Sequence, residues 1–499
     1  GGTTLTFNYT VSSGHASSDL DYAGSSALAP NNGGIGDGLN TATHTLPTPG
    51  ATNSLGANKA LVIDGIVPAT PTGLAAADGN TTITLTWTAN TDSDLASYKV
   101  YGGTGASPTT LLSTITAGTV TYTHTGLTNG TTYYYRISTM DNVGNESAKT
   151  SDVSTSPNIQ KYTVKTDGTR DYTTIQAAIN ATASGDTVLV YAGTYTENVK
   201  IENKSIFMGS RYLTTGDTSY VRTTIINGNS AGAPMWVTGE NSEVTLSGLT
   251  LKNGAPNNDN TIGSGLYVPS SKSITANRLI IKNNLSASYG GGVSIQNTDV
   301  VTFSNLDIQF NEAGHHGGGI MLWNNVGRFE LINSLIANNA TSVNDGGGLK
   351  IEATDTTIIM NCTIAKNQIP SGRYGAGIVF ENSIVDSMLI MNSIINGNTS
   401  QNEDFQEQIY NSGGRLVLRN NFITNTGSDP SATISTNNIF TTSDPFISSS
   451  NNNFALSNIS NAIGAGLSST TFFGATRTPP TTDYLGVSRP LPAGSNPDM

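Results

Sequence analysis

The chain has 499 residues, of which only 12% are charged, and its net charge is -12. That balance excludes a nucleic-acid groove and an anionic membrane surface, because either needs a basic stripe to displace counterions. The length exceeds one ordinary domain, and an excess of Gly, Thr, Ser and Asn serves turns and strands, so an all-β protein built partly of repeats is expected.

No run of about 18 apolar residues appears, so no membrane-spanning helix is expected. The opening GGTTLTFNYT lacks the basic start and apolar core of a signal peptide, and the chain has no initiating Met. It reads as a piece of a longer exported protein. Cys362 is the single cysteine, which precludes an intrachain disulfide and leaves stability to packing.

Residues 1–66 alternate in strand fashion in TLTFNYTV and KALVIDG, between turn signals such as APNNGGIGDG. LTFNYTV, SSDLDY and SLGANKALVIDG resemble the C-terminal half of a bacterial Ig-like repeat, with the front half missing. Residues 67–157 carry Pro at the start, Trp87 at an inward strand position, the YKVY strand and GLTNGTTYYYRI. These resemble a fibronectin type III domain, which implies that Trp87 and Tyr133 are core and that Leu127 and the tyrosines after it form the tyrosine corner. DNVGNES (141–147) reads as a hairpin turn ahead of a calcium loop.

From 158 onward, TIQAAINA has helical spacing with Ile175, Ala178 and Ile179 on one face, and DTVLVYAG reads as a buried strand. This opening resembles the N-terminal cap of right-handed parallel β-helix proteins of the pectin lyase-like superfamily. A cap is physically required, since the open end of a solenoid exposes stacked apolar side chains. The resemblance implies a β-helix over 158–499, and SDPFISSSNNNFALSNISNAIGAGL with DYLGVSRPLPAGSNPDM resembles the terminal segment of bacterial surface β-helix proteins, cut short here.

A repeat is countable. Glycine clusters begin at Gly263, Gly290, Gly317, Gly346 and Gly375. Asn277, Asn305, Asn333, Asn361, Asn392 and Asn420 recur in step, and so do Asn283, Asn311, Asn339, Asn367 and Asn398. The period fits one coil of three short parallel strands, with coils about 4.8 Å apart. Asn tolerates left-handed turns, and its amides can bond from coil to coil, so both columns read as structural. After each glycine cluster, Leu266/Val268, Val293/Ile295, Ile320/Leu322, Leu349/Ile351 and Ile378/Phe380 should point inward. Ser294, Gln296, Met321, Trp323, Lys350, Glu352, Val379 and Glu381 should then face water.

Alignment of the coils puts His316 in a column with Tyr289, Asp345 and Tyr374, and His315 in a column with Ser288, Asn344 and Arg373. With Glu312, Trp323, Lys350, Glu352 and Glu381 nearby, the expected outer face is a shallow polar cleft with one exposed indole. Candidate carbohydrate contacts are therefore Glu312, His315, His316, Trp323, Asp345, Lys350, Glu352, Arg373 and Tyr374, since aromatic faces stack on sugar rings and charged groups take their hydroxyls.

A metal at His315 and His316 is disfavoured, because adjacent residues on an extended chain point to opposite sides. No cofactor is expected. Calcium is chemically allowed, but no clear motif asks for it, and QNEDFQEQIYNSGG (401–414) reads as a solvated acidic insertion. Cys362 reads as a small packed side chain.

The scaffold the chain resembles hosts both enzymes and binding proteins. The leading expectation is a non-catalytic bacterial extracellular or cell-surface protein. Its β-helix contacts a polysaccharide or another surface, and the β-sandwich modules act as spacers. The alternative is a polysaccharide lyase or glycoside hydrolase on the same outer face, with Lys350 or Arg373 as base, or with Glu352 and Glu381 as the two carboxylates. The expected partner is a glycan; neither nucleic acid nor membrane insertion of this segment is expected.

Overall fold

The computed structural model describes residues 8–29, 44–256, 264–352, 354–381, 387–400, 408–424 and 433–482, apart from 458, 459, 461, 463, 464, 473 and 474. The acidic residues Glu403, Asp404 and Glu407, the glycine cluster start at Gly263 and the tail from 483 lie outside the described residues. The chain divides into two compact units, Gly1–Asn158 and Ile159–Met499.

In the first unit, Thr72–Gly79, Thr82–Thr88 and Thr121–His124 form one antiparallel sheet. Leu111–Thr116, Leu95–Gly103, Tyr133–Asp141 and Val153–Thr155 form the other. Alternate residues of the two sheets meet in a core of Ile83, Leu85, Trp87, Tyr98, Val100, Tyr135 and Ile137. Trp87 sits edge-on to Tyr98 at 5.3 Å. Tyr133 is half-buried rather than fully core, because its hydroxyl reaches out to accept the Thr128 N–H at 3.2 Å, the bond of a tyrosine corner.

Before this sandwich, among the described residues, 8–11 are not strand, and Ala16–Ser17 pairs with Ile63–Asp64. Tyr9, Val11, Leu61 and Val62 are exposed, so the alternating apolar residues have no partner sheet among the described residues to bury against.

The second unit opens with the strand Lys161–Val164, and the helix Ile175–Ala181 follows where its spacing predicts. Glu197 accepts the N–H groups of Ile175 and Gln176 at 2.9 and 3.0 Å, satisfying two orphan donors of the first turn. Its buried face of Ile175, Ala178 and Ile179 joins the solenoid core. Parallel strands then stack into sheets of fifteen, ten and five, giving the all-β parallel β-helix that the repeat predicts.

The expected inward residues, from Leu266 and Val268 to Ile378 and Phe380, are all 0% exposed. The coil is less simple than three short strands. Ile320–Ile332 runs as one 13-residue strand and bends at Asn324 and Asn325, which take φ of 51° and 61°.

The asparagine columns hold, with two corrections at their start. Asn305, Asn333, Asn361, Asn392 and Asn420 adopt left-handed φ between 50° and 56°, but Arg278 rather than Asn277 occupies that position in its coil. The register pairs Asn277 with Ser304, so Asn277 sits one residue early and accepts an amide bond from Asn305. In the second column the buried ladder runs Asn284, Asn311, Asn339, Asn367 and Asn398, ending on Gln408. Asn283 is the exposed left-handed residue before it.

Within the ladder, Asn339 Oδ1 accepts both the backbone N–H and the amide of Asn311, while its own amide donates to the Ile308 carbonyl and to Asn367. A third column unread from sequence runs Ser334, Cys362, Ser393 and Asn421. Cys362 is packed there, 1% exposed.

The glycine triplets answer two demands. Gly317 has φ +67°, the left-handed region that side chains resist. At Gly318, a Cβ would come 2.4 Å from the Ala340 carbonyl oxygen and 2.5 Å from that of Gly347, so coil-to-coil stacking leaves no room for it.

Candidate functional site

The middle residue of each apolar triplet after a turn falls in one register column on the outer face of the fifteen-stranded sheet. The column reads Lys200, Trp236, Tyr267, Ser294, Met321, Lys350, Val379 and Tyr410, one coil apart. Alternation alone sends Ser294, Met321, Lys350 and Val379 to water, and they do not reach it; Tyr267 is buried as well, 8% exposed. Ser294, Met321, Lys350 and Val379 are at most 3% exposed. The preceding turn folds over them: a Cβ at Gly290, Gly317, Gly346 or Gly375 would approach Ser294, Met321, Lys350 or Val379 to within 2.5–2.8 Å. The side chains leave the core and are then roofed by their own glycine turn.

Lys350 is the consequence with most chemistry. Its ammonium lies 2.6 Å from Glu381, 3.1 Å from Glu352 and 3.8 Å from Asp345. Burial alone would lower its pKa, but the hydrogen bond it donates to Glu381 and the charge of Glu352 more than reverse that, and the pKa is raised. A lysine so held is a structural cation, not a base poised near neutral pH.

Trp323, expected to be exposed, is half-buried against Tyr289 at 4.9 Å. Tyr289 also stacks on His316, with centroids 5.8 Å apart and rings 12° from parallel. Burial, together with the nearby Lys350 charge, pushes the His316 pKa down to about 4, so the ring is neutral. The two histidines do not point to opposite sides as an extended strand would place them. The strand Glu312–Ala313 ends before them, and the turn brings both rings to the Asn344 amide, at 3.2 Å from His315 Nδ1 and 3.3 Å from His316 Nε2.

The columns of the aligned coils are in place. Tyr289 bridges to His316, the Gly317 N–H reaches the Asp345 carbonyl, and the His315 N–H bonds the Ser288 carbonyl. Asp345 also accepts the Tyr374 N–H at 3.0 Å, and exposed Tyr374 stacks on Tyr410 at 4.7 Å. Two candidates stand apart from the Lys350 group. Glu312 accepts from Ser342, and Arg373 is exposed on its turn with no ion pair among the described residues.

Sequence reasoning missed Trp236, Tyr267 and Tyr410. Trp236 and Tyr267 pack at 5.1 Å, Lys200 lies over Trp236 at 5.4 Å, and Gln296 donates to the Tyr267 hydroxyl at 3.3 Å. The missed signal was the triplet itself, V-K-I, M-W-V, L-Y-V and I-Y-N, read for its middle letter. The resulting outer face is a stripe of aromatic rings interleaved with acids, amides and imidazoles, running parallel to the helix axis. The ring N–H groups of Trp236 and Trp323 have no acceptor among the described residues.

Three carboxylates outside the stripe, from Asp64, Asp94 and Asp141, bring one oxygen each within 4.8 Å of one another. Asp141 is already occupied by the 141–147 turn, where Oδ1 accepts the N–H groups of Val143, Gly144 and Asn145.

Residues 69–156 match the family model of the fibronectin type III domain, and residues 236–426 match that of the right handed beta helix region. Over 89 residues the chain is 45% identical to Exoglucanase B of Cellulomonas fimi, covering 17% of this chain and 8% of that protein. Over 98 residues it is 39% identical to Exoglucanase A of the same bacterium, covering 19% and 10%. The chain thus spans a tenth or less of these relatives. A solved Fn3-like protein from Clostridium thermocellum is 34% identical and covers 19% of this chain and 98% of its own, with a TM-score of 0.17. The chain contains a fibronectin type III domain followed by a right-handed parallel β-helix.

Proposed function

We propose that this is a non-catalytic extracellular bacterial protein whose β-helix holds a polysaccharide along the stripe from Trp236 to Tyr410, with the β-sandwich modules as spacers. The observation that carries the reading is the set of aromatic and polar side chains along the outer face beside that column. Rings at Trp236, Tyr289, Trp323 and Tyr374 offer stacking faces, and Gln296, Asn344, Glu352 and Glu381 offer hydrogen-bonding groups beside them. A linear glycan fits a surface spread along several coils better than it fits a closed pocket.

Binding is favoured over turnover because Lys350 and the two alternative carboxylates are already committed to one another, and Arg373 stands apart from them. Lys350 is clamped by three carboxylates, and Glu352 and Glu381 share its ammonium. The kinship of the Fn3 domain with parts of bacterial exoglucanases agrees with a carbohydrate-rich extracellular setting.

A glycan array probed with the whole chain tests the reading. Retention on a polysaccharide that is lost in Trp323→Ala supports it. Retention on none of the glycans overturns it, and so does release of new reducing ends or unsaturated sugars that disappears in Glu381→Gln, which would replace binding by catalysis.

A further inference from the structure

We propose a second carbohydrate site, on a different face, that takes the acidic groups of an anionic polysaccharide. It lies over the outer side of the ten-stranded sheet, in a cleft of about 250 Å³ that includes Arg222, Lys252, Lys282, Asp307 and Phe310. An adjoining recess shares Arg222 and Asp307 and adds Arg278. The site shares no residue with the aromatic stripe and does not rest on that reading.

The cleft is built, not incidental. The helix Ser219–Thr223 forms one wall, and it is fixed to the sheet by a 2.7 Å bond from the Thr250 hydroxyl to the Val221 carbonyl. Arg222 leaves that helix at its C-terminal turn. Lys252 and Lys282 are direct register partners on adjacent strands of the sheet, so their stems leave the sheet about 4.8 Å apart.

Four cations therefore face one carboxylate, in a chain whose net charge is -12. Arg278 is engaged by Tyr212, its Nε–H donating to the hydroxyl at 3.1 Å. Arg222, Lys252 and Lys282 make no ion pair among the described residues. Asp307 does not neutralise them fully: its carboxyl accepts from Gln309 at 2.6 Å, and burial raises its pKa against the pull of Arg222 and Lys282.

The spacing selects the ligand. Lys252 and Lys282, one strand apart, match two successive groups of a polymer carrying one negative group per sugar, because the strand spacing is comparable to the length of a pyranose residue. Phe310, 46% exposed at the rim, offers a ring for the sugar face. The shared chemistry is a saccharide bearing carboxylate or sulfate.

Isothermal titration of the whole chain with hexagalacturonate and with a carrageenan hexasaccharide tests the site and separates the two acids. We expect at least one to bind, with affinity falling as salt rises, and the neutral methyl ester of hexagalacturonate to bind at least tenfold more weakly. The double variant Lys252→Gln/Lys282→Gln should lose at least tenfold, Lys282→Arg should retain binding, and Trp323→Ala should match the parent. The proposal is overturned if neither oligosaccharide binds, if the double variant binds like the parent, if the methyl ester binds equally well, or if inorganic sulfate or a DNA hexanucleotide competes as tightly as the oligosaccharide. A loss confined to Trp323→Ala also overturns it, by assigning the acid to the aromatic stripe and leaving that first site standing.

Discussion

Lys350 and Glu381 meet across neighbouring coils, ammonium to carboxylate at 2.6 Å, with the lysine side chain 3% exposed and the glutamate 44%. The pair joins two rungs of the solenoid on the face where a ligand would lie, so it is both a staple and part of the surface. Removing the cation leaves Glu381, Glu352 and Asp345 to repel one another, although Glu352 and Glu381 retain access to water. We expect Lys350→Met to cost about 2 kcal/mol, less than the loss of a partner from a fully buried pair. Urea unfolding of the parent and variant measures this, and an unchanged midpoint would mean that the cluster contributes nothing net.

His316 makes stability depend on acidity. Its folded pKa of about 4 lies below the ordinary value of 6.5, so the unfolded chain binds the extra proton first as pH falls. The stabilisation by the neutral ring is fully present above about pH 6.5 and is lost progressively between 6.5 and 4. His316→Asn keeps a polar planar group without that proton. We expect the parent to lose more stability than His316→Asn over this interval in thermal melts, and parallel pH profiles would contradict it.

Asn283 and Asn284 are neighbours with different roles, which substitution separates. Asn284 accepts the Gly254 N–H at 2.8 Å and donates to Asn311 and to the Leu251 carbonyl, while 2% exposed. Loss of those bonds in Asn284→Ala should cost about 3 kcal/mol, because the Gly254 N–H loses its acceptor in a buried site. Asn283 is exposed with φ 56°, so Asn283→Gly should be close to neutral. Equal costs at the two positions, read by chemical denaturation, would contradict the ladder assignment.

That pair also shows what sequence can and cannot resolve. Periodicity located the coils, the inward apolar residues and the cap helix, because each follows from alternation or helical spacing. It misplaced the first member of each asparagine column by one residue, since Asn283 and Asn284 are the same letter and only the register of Lys282 with Gln309 decides between them. Lys350 looked solvated because alternation says which way a side chain leaves a strand, not whether the turn at Gly346 folds back over it. The histidine pair was read as if on a strand, whereas its strand ends at Ala313.

The aromatic stripe carries the central claim, and the dependence of affinity on glycan length tests it most directly. A stripe spread over several coils engages a long chain at more rings than a short one, each ring contributing about 1 kcal/mol. Titration calorimetry with di- to octasaccharides of the glycan retained on the array should show affinity rising with length, and a fall of about fivefold in both Trp236→Ala and Trp323→Ala for the longer chains. Affinity independent of length, or a Trp236→Ala variant that binds the octasaccharide as the parent does, would contradict it.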